Sequence, residues 1–285
     1  VASRLSSPTV RRRRLGAELK VLRIAAGLNR DQAADHLGVA PSTITKVENA
    51  TSVARPADVA MLLDLYGVDE ERKEFLITLA REARQRGWWQ DHKKAIRPWF
   101  ETFVGLESAA IELRPYDSEL IPGLLQTADY YKAHLSTTPI HLSAEETEQK
   151  VAFRLARQEQ LAAPDGLRLW SITNEACIRR MVGGTTTMKA QLRHLIAATE
   201  RPNITLQILP FSAGSHPAMD GSFVIIEFPE RTSPDVVYLE SQTDARYLEE
   251  ADVVDRYNVV FNHLRAKALD PSESLRLLVQ AEKDL

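Results

Sequence analysis

The sequence predicts a mainly α chain in two parts. Residues 1–86 read as a domain of five short helices. Residues 87–285 read as a larger α+β domain, a small β-sheet backed by helices. Three observations predict this. Apolar residues recur at three- and four-residue steps through the first part, with glycine or proline at the breaks. Runs rich in β-branched and aromatic residues occur only in the second part. Charge divides the same way: residues 1–55 hold ten Lys/Arg against four acids, +6, whereas the rest holds 26 against 35, −9, for the net −3 of the whole.

The 285 residues suffice for two hydrophobic cores. The N-terminus, VASRLSSPTVRRRR, has no apolar segment after its charges, so no secretory leader is expected. No apolar run approaches the ~18 residues of a membrane span. The single cysteine, Cys177, excludes an internal disulfide and a cysteine-rich zinc site. A cytoplasmic, nucleoid-associated protein with no membrane partner is the expectation.

The first helix runs from Arg11 to Ala26 with Leu15, Leu19, Leu22 and Ala26 as its buried stripe, and Gly27 ends it. Within it, Arg11-Arg12-Arg13-Arg14 reads either as a solvated helix start or as an arm gripping phosphate. Asn29 caps the second helix, which buries Ala33, Ala34 and Leu37. Gly38 supplies the left-handed stop and Val39 plugs the turn. Pro41 opens the third helix, whose Ile44 and Val47 face inward. Ser42, Thr43, Thr45, Lys46 and Asn49 then face out, a small polar surface suited to a major groove. Pro56–Tyr66 buries Val59, Leu62, Leu63 and Tyr66, and Asp69–Arg86 buries Phe75, Leu76 and Leu79. Two helices joined by a tight glycine turn make this a helix-turn-helix domain. The acidic total is no obstacle to DNA, which senses the local field over about 8–10 Å.

The stretch RRRLGAELKVLRIAAGLNRDQAADHLGVAPSTITKVEN resembles the XRE-type, repressor and Cro-like helix-turn-helix family. The resemblance implies a phosphate contact for Arg30 and base-reading positions at Pro41, Ser42 and Lys46, with Thr43 and Asn49 alongside. Arg30 and Arg55 would hold the backbone. Two positions depart from that pattern: Ala40 where Ser or Thr caps the recognition helix, and Ala50 where glycine ends it.

The second part opens with Trp88, Trp89 and Trp99, which read as a junction packing the two parts or as a partner anchor. A helix is expected over Trp99–Leu113, then a proline-punctuated loop, RPYDSELIPG, leading into a further helix, and another over Thr147–Leu161. Strands are expected at 167–173, 204–210, 221–228 and 235–240, with mostly helical sequence between the first two. Two helices, Glu249–Leu269 and Ser272–Lys283, follow. No template for chemistry fits. The seven histidines lack metal spacing, and VGGTTT at 182–187 reads as a glycine turn capped by Thr185. Ser215, His216 and Asp220 lie together without a nucleophile elbow, and Cys177 reads as core. No enzyme activity, cofactor or metal is expected. An enzyme fused to a DNA-binding head is the outlying rival.

LIPGLLQTADY, ERPNITLQILPFSAGSHPAMDGSF and DVVYLESQTDARYLEE resemble the C-terminal domain of WhiJ-like, antitoxin-like regulators of actinobacteria. That resemblance implies a small partner protein encoded nearby, whose docking changes DNA binding; a small-molecule effector is also open. The expectation is a sequence-specific regulator of double-stranded DNA, a repressor, working as a homodimer paired through residues 87–285. The alternative is an antitoxin-like protein that neutralises a partner and binds DNA only for autoregulation.

Overall fold

A computed structural model describes residues 7–139, 141–162, 166–229 and 234–285. Arg4, counted above among the basic residues, lies outside them. The chain forms two compact units, residues 7–90 and Asp91–Phe228 with Pro234–Leu285.

The first unit has five helices: α1 Pro8–Ala25, α2 Arg30–Leu37, α3 Pro41–Glu48, α4 Pro56–Leu65 and α5 Glu70–Glu82. Leu15, Leu19, Ala33, Ala34, Ile44, Val59, Leu62, Leu63, Leu76 and Leu79 share one core. Two expected core positions differ. Ala26 is exposed, and the buried stripe of α1 ends on Arg23 instead. Phe75 is exposed because the arginines Arg14 and Arg72 lie over its ring at 5.1 and 5.3 Å. The four side chains of the arginine run are half-buried rather than fully solvated. Arg11 pairs with Glu82 at 3.2 Å and donates to Gln85.

In the second unit six strands form one mixed sheet of order β3-β2-β1-β4-β5-β6. They are β1 Glu112–Asp117, β2 Arg168–Asn174, β3 Ile204–Leu209, β4 Phe223–Glu227, β5 Val236–Glu240 and β6 Ala245–Leu248. β1, β2 and β3 are parallel, and β4, β5 and β6 continue antiparallel from the other edge of β1. The expected helix over Trp99–Leu113 stops early: α6 is Pro98–Glu107, and β1 replaces the expected loop. β1 is central although it holds Pro115, which cannot donate to a ladder. The parallel register is the same at Leu113↔Leu169 and at Tyr116↔Ile172, but the bridges to β2 between them, at Arg114 and Pro115, are missing.

Helices α7 Ala128–Leu135 and α8 Ala144–Gln158 connect β1 to β2; α9 Glu175–Arg179 and α10 Gly184–Ala198 connect β2 to β3. A capping box between Ser143 and Glu146 starts α8, three residues ahead of the expected Thr147. α10 begins after Gly183 at φ +74° without a side-chain cap, so Thr185 does not cap the turn as expected. Helices α11 Ala251–Lys267 and α12 Pro271–Lys283 close the chain. Val254, Phe261 and Leu264 of α11 pack with Ile172, Ile225 and Val237 of the sheet. Phe103 of α6 meets Tyr238 of β5, ring centroids 4.4 Å apart. Trp88 and Trp89 lie edge-on at 6.2 Å in the first unit, and Trp99 in the second donates its indole N–H to Glu240 at 3.4 Å.

One buried ion pair frames this unit. Arg157 donates from Nε and Nη2 to the two carboxylate oxygens of Glu107, at 2.9 and 2.6 Å. Gln160 completes the shell of Glu107 at 3.1 Å, and the rings of Phe100 and Phe103 cover the guanidinium. Removing one charge strands the other in the interior. Glu107→Gln should therefore cost about 3–5 kcal/mol, whereas an apolar double replacement should cost less. Denaturant unfolding of the two variants checks the difference.

Candidate nucleic-acid interface

The site is α2, the turn, and α3. Asn29 and Gln32 form a capping box at the start of α2, so its first free N–H groups are satisfied. Gly38 closes α2 at φ +63° and sends Val39 into the core. Helix α3 has eight residues and buries two side chains, Ile44 and Glu48. A helix so short cannot hold its own conformation in water. Contacts with α1 and α2 must place it.

Two contacts do so. Gly16 of α1 meets the last turn of α3, where a Cβ would stand 2.6 Å from the carbonyl oxygen of Val47 and 2.7 Å from that of Glu48. Arg23 then donates to Glu48 from Nε at 2.5 Å and from Nη2 at 3.1 Å, and from Nη1 to the carbonyl of Leu28 at 2.8 Å. The side chain of Glu48 is 2% exposed. Arg30 adds a third bond, Nε to Glu48 Oε2 at 3.0 Å. Burial acts to raise the Glu48 carboxyl, but the hydrogen bonds and charges of Arg23 and Arg30 outweigh it and hold the pKa below 4.5. Arg23 moves the other way, raised above the usual guanidinium range chiefly by its bond to Glu48.

What remains of α3 faces out. Pro41, Ser42, Thr43, Lys46 and Asn49 are exposed; Thr45 is half-buried and donates its hydroxyl to the Pro41 carbonyl at 3.3 Å. Among the described residues Lys46 has no acidic partner. Arg30 keeps a 40% exposed side chain with only Nε engaged on Glu48. Arg55, 70% exposed, is bidentate on Asp58 at 2.8 and 2.9 Å. Ala40 stands at the N-cap without a side-chain bond, and Ala50 takes φ +56° just beyond the helix. The sequence reading missed the roles of Gly16, Arg23 and Glu48. The signal was a charge in phase with an apolar stripe: Arg23 follows Leu19 by four, and Glu48 follows Ile44 by four.

In the second unit His216 is a structural group. Its Nδ1 accepts from the Ala218 N–H and its Nε2 meets the Tyr116 hydroxyl, each at 3.3 Å; neither nitrogen is bonded to Ser215 or Asp220. Cys177 is buried, and burial pushes its thiol far up. Among the described residues no group of three acidic, histidine or cysteine side chains could hold a metal, and no helix is long and apolar enough to cross a membrane.

A helix-turn-helix family model matches residues 14–76, the region just built. A model described as domain of unknown function (DUF5753) matches residues 100–280, well over half of the chain. The chain belongs to the DUF5753 family. No curated protein and no solved structure matches it. In this DUF5753 chain the domain follows a helix-turn-helix head, and that head supports a DNA-binding regulator.

Opposite effects are expected at Gly16, where α1 meets α3, and at Ala50, just beyond α3. Gly16→Ala must push backbone apart and should cost about 1–3 kcal/mol. Ala50→Gly relieves the left-handed strain and should add about 1 kcal/mol. Thermal melting reads both. The Glu48 contribution has a definite pH window. Its folded pKa is depressed, so its stabilisation is present above pH 4.5 and is lost as pH falls through the folded value. Glu48→Gln should flatten that acid limb in unfolding curves taken across the range.

Proposed function

We propose that this chain is a sequence-specific regulator of double-stranded DNA that acts as a repressor and binds as a homodimer. The observation that carries the reading is the exposed face of α3. Ser42, Thr43, Lys46 and Asn49 offer hydroxyl, amide and ammonium groups on a helix locked from behind by Gly16 and the Arg23–Glu48 pair. Such a face suits base edges in a major groove. Pro41 and Thr45 lie within it. Arg30 and Arg55 flank it as phosphate contacts. Glu48 orients the guanidinium of Arg30 by a single bond to Nε, leaving its outer nitrogens for phosphate. Arg55 is 70% exposed, so its surface pair with Asp58 is weak enough to exchange for a phosphate. The XRE-type register of the head supports this assignment.

One such helix reads few base pairs, so specificity requires two half-sites about 34 Å, one helical turn, apart or a multiple of it. The second unit would supply the pairing surface. It would also take a small partner protein or ligand, as the resemblance to WhiJ-like regulators suggests. An effector changes DNA affinity only by binding one state better, with coupling of about 1–3 kcal/mol.

Genome-wide DNA capture at fixed salt tests the reading: an inverted repeat near the protein's own gene is expected, and sequence-independent retention would sink it. On that repeat, Lys46→Ala and Ser42→Ala should each reduce discrimination between right and wrong bases by about 1–3 kcal/mol. Arg30→Ala should weaken all sequences alike and lower the salt slope by about 0.9. Uniform losses from all three variants would show that α3 does not read bases.

A further inference from the structure

β1 and β2 are parallel neighbours, and the carboxyl ends of such strands are where open sheets with crossover helices bind ligands. At that end of β1, Asp117 carries an oxygen, Oδ2, that is shut off from solvent and takes no hydrogen bond in the protein. A buried acceptor of this kind is costly to leave unpaired. Asp117 lies among buried groups: the Cys177 thiol meets its backbone carbonyl at 3.5 Å, and the Tyr130 hydroxyl feels its charge. Burial raises the carboxyl to about 7, and the charge opposing that rise is the guanidinium of Arg154.

Arg154, on α8, is the matching oddity. Among the described residues it pairs with no carboxylate, whereas Arg157 one turn away is neutralised by Glu107. Its guanidinium lies over the ring of Tyr131 at 4.0 Å and close against the backbone of Gly123, where a Cβ would come within 2.0 Å of Nη1. Burial lowers its pKa, and His134 is held down by burial and by the charge of Arg154. The loop from Asp117 to Gly123 thus has at one end an acid with one oxygen left without a partner, and over the other a guanidinium that meets Tyr131 but no carboxylate among the described residues. They act on one another through space without an ion pair between them. Two half-buried opposite charges held apart are stabilised by a ligand that brings a counter-charge to each.

We propose that the carboxyl end of β1 is a binding site for a small zwitterion of amino-acid type, its carboxylate on Arg154 and its ammonium on Asp117. Tyr131 backs the guanidinium and keeps its fork in place, and Gly123 leaves room for that fork. Binding does not depend on the head. Only its regulatory meaning rests on the reading of the second unit as the sensing part.

Isothermal titration calorimetry of the full chain against each proteinogenic L-amino acid, above neutral pH, tests this. At least one should bind, and its N-acetyl and its amide derivative should each lose about tenfold or more in affinity. Asp117→Asn and Arg154→Met should lose binding to the same extent while keeping the far-UV circular dichroism of the parent. If either variant fails to fold, the two derivatives on the unaltered chain decide. Absence of binding by every amino acid, or binding indifferent to both acetylation and amidation, overturns the proposal. The DNA capture above is scored separately. Operator binding without amino-acid binding sinks this inference alone, and amino-acid binding by a chain that reads no DNA sequence sinks the regulator reading alone.

Discussion

The first unit depends on one buried ion pair, Arg23 with Glu48. Taking both charges out of water is expensive, and an apolar pair of the same volume would serve stability as well or better. What the ion pair provides is direction. A guanidinium held by two bonds to a carboxylate and one to the Leu28 carbonyl has one orientation, and it ties the end of α1 and the turn after it to the last turn of α3. Helix α3 buries only Ile44 besides Glu48, so apolar packing alone would leave it free to roll about its own axis. Gly16 removes the other freedom, separation, because the backbones of α1 and α3 touch there. If the exposed face of α3 reads bases as proposed, its short side chains need that rigidity, since hydroxyl and amide groups have little reach to correct a misplaced helix.

The pair also changes how the charge of the head is counted. Of the ten basic residues in the first 55, Arg23 is neutralised inside and Arg11 is paired with Glu82. Arg14 is laid over Phe75 with Arg72. Around α2 and α3, Lys46 has no acidic partner among the described residues, whereas Arg30 bonds Glu48 through Nε and Arg55 is bidentate on Asp58; in the proposed reading these three would supply the field that meets phosphate. Arg30 has a double part. It shares Glu48 with Arg23 and so helps to lower the carboxyl pKa, yet it keeps an exposed fork. A contact to phosphate by Arg30 would thus act on the same carboxylate that holds the recognition helix.

Much of the head was legible because its signals are local. Asn29, Gly38 and Pro41 mark helix ends by backbone chemistry that operates within four residues, and the apolar stripes of α4 match their period. The errors arose where a charge took an apolar place or an apolar group was left outside. Arg23 displaced Ala26 from the stripe, and Phe75 was held at the surface by two guanidinium groups. In the second unit β1 was read as loop because Pro115 and its flanking charges argue against a central strand, and only the sheet reveals that its lost bridges fall at Arg114 and Pro115. β6 has four residues, none fully buried, and no alternation to read. For the candidate site, the exposed residues of α3 followed from periodicity, whereas Gly16, Arg23 and Glu48 required knowing which helices cross.

The second unit handles buried charge in two ways, and the contrast bears on function. Glu107 and Arg157 are mutually satisfied, sealed by Gln160 and the rings of Phe100 and Phe103, and have no capacity left for a ligand. Asp117 and Arg154 are half-buried and make no ion pair with each other; Asp117 Oδ2 is shut off from solvent without a partner, and both flank the loop that leaves the carboxyl end of β1. A fold that only needed stability would have paired them or replaced them with apolar groups. Keeping the charges apart costs free energy in the empty state, a cost that the proposed zwitterion would recover on binding. The difference between empty and filled states is then large at this loop and small at the sealed pair. A sensing domain requires such a contrast: one locus whose energy depends on the ligand, set on a frame whose energy does not.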